Sequence, residues 1–353
     1  MTTAASGSST PMATTAEPGS GREQRMRAMA CPGPGRALVL ENRRVPRPGP
    51  GQVLVRVLAC GVCRTDLHVQ DNELADIRYP VVPGHQVVAE VSERGAGVEL
   101  PVGARVGLAW LAWACGRCEF CRRGQENLCD SAQFNGYQRD GGYAEFMLAD
   151  AGFVVPLSTD LDAAHTTPLL CGGLIGFRTL RMAGEVQRLG IYGFGSAAHM
   201  IAQIAHNEGC KIFAFTSPGD HEAQAFARSL GAAWAGGSDQ PAPEPLDGAL
   251  IFAPVGALVP KALRDVRKGG RVVCGGIHMS DIPSFPYADL WGERQIRSVA
   301  NLTRADAREF MRIAAARPIV THITRYPLEQ ANEALDALRA GRISGTAVLE
   351  IAS

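Results

Sequence analysis

The sequence predicts an α/β chain in two parts: an all-β body shaped as a partly closed barrel, and a parallel sheet covered by helices on both faces. Three observations predict it. From Ala37 to about Asp150, short alternating apolar runs are broken by Gly and Pro. Near residue 172 the pattern changes to strand-like runs that alternate with helical stretches. The chain has 353 residues, more than one average core needs, so two domains are the default.

Taken in order, residues 1–25 (MTTAASGSSTPMATTAEPGSGREQR) are rich in Ser, Thr, Ala, Gly and Pro and contain no apolar run, which excludes a secretory signal. They read as a disordered leader, with the fold starting near Met26. VLVRVLA (53–59), VVAEVSE (87–93), ARVGLAW (104–110) and AEFMLAD (144–150) read as strands. In the second part, strand 189–192 is followed by a helix from about residue 197 to 207, and strand 212–215 by a helix over 222–230. Strands are expected at 249–252, 272–274 and 296–300. A helix after about residue 303, the run THITRYP, a helix over 328–339 and a strand over 347–351 complete the pattern.

Composition excludes several function classes. Lys+Arg and Asp+Glu both number 35, so the formal net charge is +0 and nothing suggests a nucleic-acid binder. No apolar run reaches the ~18 residues of a membrane span. Hydrophobic residues make up 46%, ordinary for a globular protein.

Ten cysteines carry most of the information, because seven ligand-type residues fall at spacings that make two zinc sites. Cys115, Cys118, Cys121 and Cys129 form a C-x2-C-x2-C-x7-C run. Four thiolates so close in sequence can wrap one tetrahedral Zn2+, and the polar lobe CGRCEFCRRGQENLC has too little apolar area to hold itself together. Cys63, His85 and Cys171 lie in GVCRTD, PGHQVV and LLCGG and supply three ligands, leaving a fourth position open. Such an open zinc lowers the pKa of a hydroxyl toward ~7, the condition for oxidising an alcohol by hydride loss. Asp66 is placed to fix the His85 tautomer, Thr65 supplies a hydroxyl, and His68 can carry a proton to solvent. These thiolates need a reducing compartment, which points to the cytoplasm. Cys31, Cys60, Cys210 and Cys274 read as ordinary thiols. His199, His206, His278 and His322 read as surface or second-layer groups, and Arg122-Arg123 as a solvated turn.

The hydride acceptor is expected at Gly193-Phe194-Gly195-Ser196-Ala197-Ala198, which follows a strand and opens a helix. Gly193 permits the tight turn, Gly195 lets backbone approach a pyrophosphate, and Ala198 allows close packing. The next strand ends Phe215-Thr216-Ser217, without the carboxylate that NAD binders use for the ribose, which favours NADP(H) over NAD(H).

Together these residues resemble the zinc-dependent alcohol dehydrogenases of the medium-chain dehydrogenase/reductase family. ACGVCRTDLHV, VPGHQ, the four-cysteine lobe, LLCGG, GFGSAAH and GRISGTAVLEI occur in that family's order. The resemblance implies a GroES-like catalytic domain (26–171 and 304–353) split around a Rossmann domain (172–303). It implies two zinc ions per chain, NADP(H) or NAD(H), a small alcohol or aldehyde substrate, and a homodimer or homotetramer with 291–301 as a contact. It places the catalytic zinc on Cys63, His85 and Cys171. It gives Thr65 and His68 a proton path, Arg64 a contact to the cofactor pyrophosphate, and Trp110 a place in the substrate pocket. Three departures stand out: Gln86 replaces a Glu, Thr216 an Asp, and Thr346 a phosphate-binding Arg. Polyol or amino-alcohol oxidation on the same scaffold, and a catalytically weak zinc- and nucleotide-binding protein, are the alternatives.

Overall fold

The computed structural model describes residues 24–351 and Met1. Most of the expected leader therefore lies outside the described residues. The continuous described stretch opens with an antiparallel hairpin, Arg25–Ala30 against Val39–Arg44, which the sequence pattern did not reveal.

A seven-stranded sheet follows. Gln52–Gly61 is its centre: it pairs antiparallel with Gln86–Arg94, with Phe146–Asp150 and with Thr346–Glu350. Arg105–Leu108 and Val155–Pro156 extend one side, and Ile323–Pro327 joins the other. The central strand is QVLVRVLACG, rich in β-branched residues and almost wholly buried, as a strand covered on both faces must be. Residues from both ends of the chain thus share one sheet and one apolar core, which includes Val55, Val57, Val87, Leu335 and Leu349.

The second sheet has six strands, all parallel: Trp234–Gly237, Lys211–Thr216, Arg188–Tyr192, Leu246–Ile251, Val266–Cys274 and Gln295–Ser298, in that spatial order. Numbered along the chain this is 3-2-1-4-5-6, so the order reverses between Arg188–Tyr192 and Leu246–Ile251. That reversal opens a crevice at the carboxyl ends of the strands, where this architecture binds dinucleotides. Helix Gly172–Ala183 packs against helix Ser196–Asn207 and sends Leu174, Phe177 and Leu180 into the core beneath them. Among the described residues no helix is long and apolar enough to cross a membrane.

Candidate active site

Three separate elements bring Cys63, His85 and Cys171 together. Cys63 is the N-cap of helix Arg64–Gln70, His85 directly precedes strand Gln86–Arg94, and Cys171 is the N-cap of helix Gly172–Ala183. Their ligand atoms all lie within 4.8 Å of one another. The Sγ atoms of Cys63 and Cys171 are 3.8 Å apart, far beyond a disulfide bond and equal to the edge of a tetrahedron whose sulfurs lie about 2.3 Å from a central ion. His85 is buried, and its Nε2 has no protein partner. An unpaired buried ring nitrogen is costly, and facing two sulfurs it is the donor a metal ion would satisfy. The residues present therefore fit a zinc ion.

The surroundings pre-set these ligands. Asp66 is 1% exposed; it accepts hydrogen bonds from the backbone N–H of Cys63 (2.8 Å) and of Gly84 (3.0 Å), and from the Tyr143 hydroxyl (3.2 Å). Its Oδ1 lies 3.5 Å from Nδ1 of His85. One carboxylate thus ties the segment bearing Cys63 to the segment bearing His85. Burial pushes the His85 pKa down, but the charges of Asp66 and Cys63 outweigh it and raise the group to about 10. Hydrogen bonding from Cys171 holds the Cys63 thiol well below its usual range and pushes Cys171 well above. Because such ligands bind a metal only when deprotonated, metal binding at this set competes with protons.

Thr65 is buried, with its Oγ1 3.9 Å from Cys63 Sγ. His68 sits one helical turn further on, partly exposed, and its Nδ1 contacts the Glu73 carboxylate. Arg64 is exposed at the helix start. The Trp110 ring lies tilted by 34° at 5.5 Å from His85 and meets Phe134 edge-on at 5.3 Å. Gln86 is buried, with its amide against Gly61.

The four cysteines of the lobe also converge, with ligand atoms within 4.8 Å. Backbone N–H groups of Cys115, Cys118 and Cys121 point at the sulfurs of Cys129, Cys115 and Cys118, at 3.5, 3.4 and 3.4 Å. The N–H groups of Arg117 and Cys118 hold the Cys115 thiol down to about 6. No disulfide joins any pair, and the remaining thiols Cys31, Cys60, Cys210 and Cys274 stand apart from both sets.

The Gly-rich turn lies at the strand-order reversal. Gly193 has φ +86°, and a Cβ there would come within 2.7 Å of the Ala253 nitrogen, so no other residue fits. A Cβ on Gly195 would meet nothing within 4 Å, leaving free space over the turn. Helix Ser196–Asn207 has no side-chain cap, so its first N–H groups face that space, and Ala198 is wholly buried beneath. Ser196 Oγ lies 3.4 Å from Thr346 Oγ1, so the residue standing in for an arginine does reach the turn. At the end of the next strand the two hydroxyls part company. Thr216 is buried and bonded to Gln224 and Gly236, whereas Ser217 is exposed. The pair expected to greet a 2′-phosphate is thus reduced to Ser217. Of the two places expected for His199, surface or second layer, it takes the second: it is buried against Phe226, 6.1 Å from His322.

The metal set adjoins the crevice. A Cβ on Gly172, next to Cys171, would lie 3.5 Å from Ser196 Oγ and 3.6 Å from Ala197 Cα. Sequence reasoning missed Tyr143, which holds Asp66, and Phe134, which backs Trp110; neither lies in a spacing pattern, and only the folded chain brings them to the site.

Residues 49–159 match the alcohol dehydrogenase GroES-like domain. The chain is 48% identical over 312 residues to probable alcohol dehydrogenase AdhA of Mycobacterium tuberculosis, covering 86% of this chain and 89% of that one. It is 35% identical over 315 residues to an alcohol dehydrogenase of Geobacillus stearothermophilus, covering 85% and 92%. A cobalt- and zinc-bound thermostable alcohol dehydrogenase from Pyrobaculum aerophilum superposes with a TM-score of 0.81 at 26% identity, over 94% of this chain and all of that one. With this likeness over nearly its whole length, the chain belongs to the zinc-dependent alcohol dehydrogenases of the medium-chain dehydrogenase/reductase family, which interconvert alcohols and aldehydes using NAD(P).

Proposed function

We propose that Cys63, His85 and Cys171 hold the catalytic zinc and that Cys115, Cys118, Cys121 and Cys129 hold a second, structural one. The observation that carries the reading is the close approach of Gly172 to Ser196-Ala197, where an added Cβ would find only van der Waals room: the segment bearing one metal ligand backs onto the turn read as the diphosphate cradle. When bound, the zinc acts as a Lewis acid on the alcohol oxygen and the nicotinamide accepts the hydride. The chain's own residues do the rest. Asp66 holds the His85 ring in orientation, so that Nε2 points at the metal position. Thr65 accepts the hydroxyl proton as it releases its own toward His68, which, beside Glu73, passes a proton outward. Trp110 closes the side of the substrate pocket next to His85. Gly193, Gly195 and Ala198 shape the diphosphate cradle, Arg64 supplies a cation to it, and Ser217 forms the ribose end, the Thr216 hydroxyl being held by Gln224.

Of the two nicotinamide cofactors the reading favours NADP(H), because no carboxylate stands at Thr216-Ser217 to repel a 2′-phosphate. Residues 26–171 with 304–353 form the catalytic domain and 172–303 the cofactor domain. The assembly is a homodimer or homotetramer. Tyr287 and Trp291 are 72% and 60% exposed beside the edge strand Gln295–Ser298, and an apolar patch at an open sheet edge is a site for a second copy. The reduced thiolates suit the cytoplasm. A panel of ethanol, benzyl alcohol, sorbitol and threonine with both cofactors tests the reading; turnover of none of them by zinc-loaded protein would refute it.

A further inference from the structure

The chain crosses from the parallel sheet back to the other body through residues 299–303, between strand Gln295–Ser298 and helix Arg304–Ala316. This crossing starts at the carboxyl end of the outermost parallel strand, on the same edge of the sheet as the dinucleotide crevice. Val299 continues the ladder through its N–H to Cys274 O (2.9 Å). Beyond it the backbone is irregular: Asn301 has φ +59°, and its own Oδ1 accepts from the N–H of Leu302 (2.8 Å).

The fixings on either side of this irregular stretch come from the four-cysteine lobe. Asn127 Nδ2 donates to Ala300 O at 2.6 Å. Glu126 Oε1 accepts from the backbone N–H of Arg304 (3.0 Å) and from its Nε (2.9 Å). Both lobe residues are buried, Glu126 3% exposed and Asn127 8%. They sit on the one-turn helix Glu126–Leu128, directly before Cys129, and the N–H of Cys129 donates to Glu126 O (3.2 Å). The lobe is otherwise mostly half-exposed or exposed, so its two most deeply buried polar side chains are spent on the crossing. Past the clamp, Asp306 accepts from Arg178 (2.7 Å) on the helix that begins at Cys171. The fixings thus continue from the lobe, through the crossing, to the helix that carries a ligand of the open metal set.

We propose that Glu126 and Asn127 are positioning residues for the cofactor: they clamp residues 299–304, so that the four-cysteine lobe sets the shape of the crevice at the carboxyl edge of the sheet. The proposal rests on the crevice being the nicotinamide cofactor site. Charge-assisted bonds to a buried carboxylate are strong, and losing them frees the crossing to sample arrangements in which the crevice is malformed.

The test uses the zinc-loaded full chain with Glu126→Ala, Asn127→Ala and the conservative Glu126→Gln. Zinc per chain is measured by elemental analysis, hydrogen exchange at 299–304 in the cofactor-free protein, and Kd for NADPH and NADH by fluorescence titration. The expected result is unchanged zinc, faster exchange over the crossing, and cofactor binding weakened about fivefold with the alcohol KM unmoved. Glu126→Gln, which keeps an acceptor and loses the charge, falls between wild type and Glu126→Ala, and it serves as the deciding variant should Glu126→Ala lose zinc. Unchanged exchange and unchanged Kd in the zinc-replete variants would overturn the inference. If wild-type protein binds neither cofactor, the reading of the crevice fails instead.

Discussion

Nδ1 of His85 faces Oδ1 of Asp66 at 3.5 Å, while Nε2 on the opposite edge of the ring is buried with no protein partner. The carboxylate therefore selects which nitrogen is offered to the metal position. Asp66→Asn keeps the shape and removes the charge. It is expected to weaken zinc at this site by about 10–100-fold, as losses of such supporting carboxylates do. Chelator competition measures this, and the four-cysteine zinc is expected to hold unchanged. Equal affinity in the variant would refute the role.

The two metal sets are expected to separate cleanly. Cys171→Ser abolishes alcohol oxidation and removes one zinc of two, while the melting temperature stays close to wild type, because the ligand lies at the start of a helix whose packing is apolar. Unfolding of that variant would mean that the open set is structural.

Cys118→Ser is expected to do the reverse. The lobe lacks a core of its own, so loss of its metal removes what holds it, and structural zinc supplies on the order of 10 kcal/mol. Lower thermal stability and one missing zinc are the expected readouts; an unchanged melt with full zinc content would contradict the assignment.

Asp247 offers a pH test away from either metal set. Hydrogen bonds from the Arg188 side chain, opposed by partial burial and reinforced by Arg267 and two backbone N–H groups, hold its carboxyl far below the usual range. Its folded pKa is thus depressed below an unfolded value of about 3.9. The stabilisation is fully present above that value and is lost as pH falls through the folded pKa. Asp247→Asn is expected to lower stability at pH 7 by about 1–2 kcal/mol, the arginines being partly exposed. The gap to wild type narrows below about pH 4. A gap that is constant from pH 7 to pH 3 would refute the linkage.

Cofactor choice is decided by kcat/KM with NADPH and NADH. Ser217 exposed and no acidic residue at that strand end predict at least equal use of NADPH. A hundredfold preference for NADH would defeat the reading.

Much of this candidate site was legible before folding, because a four-cysteine run and a Gly-rich turn are written in local spacings. The C-x2-C-x2-C-x7-C run and Gly193-Phe194-Gly195 name their chemistry within a few residues. Five of the six parallel strands were visible as apolar runs such as Leu189–Tyr192; Trp234–Gly237, the edge strand WAGG, was missed because it is short and ends in two glycines. Helix Gly172–Ala183 was missed: GGLIGFRTLRMA opens with two glycines and carries a third, which hides its period, and packing against Ser196–Asn207 overrides the weak propensity. The Thr216 hydroxyl was misread for a related reason. Sequence places it at the strand end, but only the fold shows Gln224, eight residues on, claiming it. Tyr143, Glu126 and Asn127 act on partners 77 to 178 residues away, and no local pattern carries such a pairing.

Anomalous diffraction at the zinc edge, on crystals of active protein grown with a nicotinamide cofactor, tests the central claim most directly. The account predicts a peak bounded by Cys63 Sγ, His85 Nε2 and Cys171 Sγ, with the nicotinamide ring beside it. Active protein with no metal at that position, or with the cofactor bound elsewhere, would contradict it.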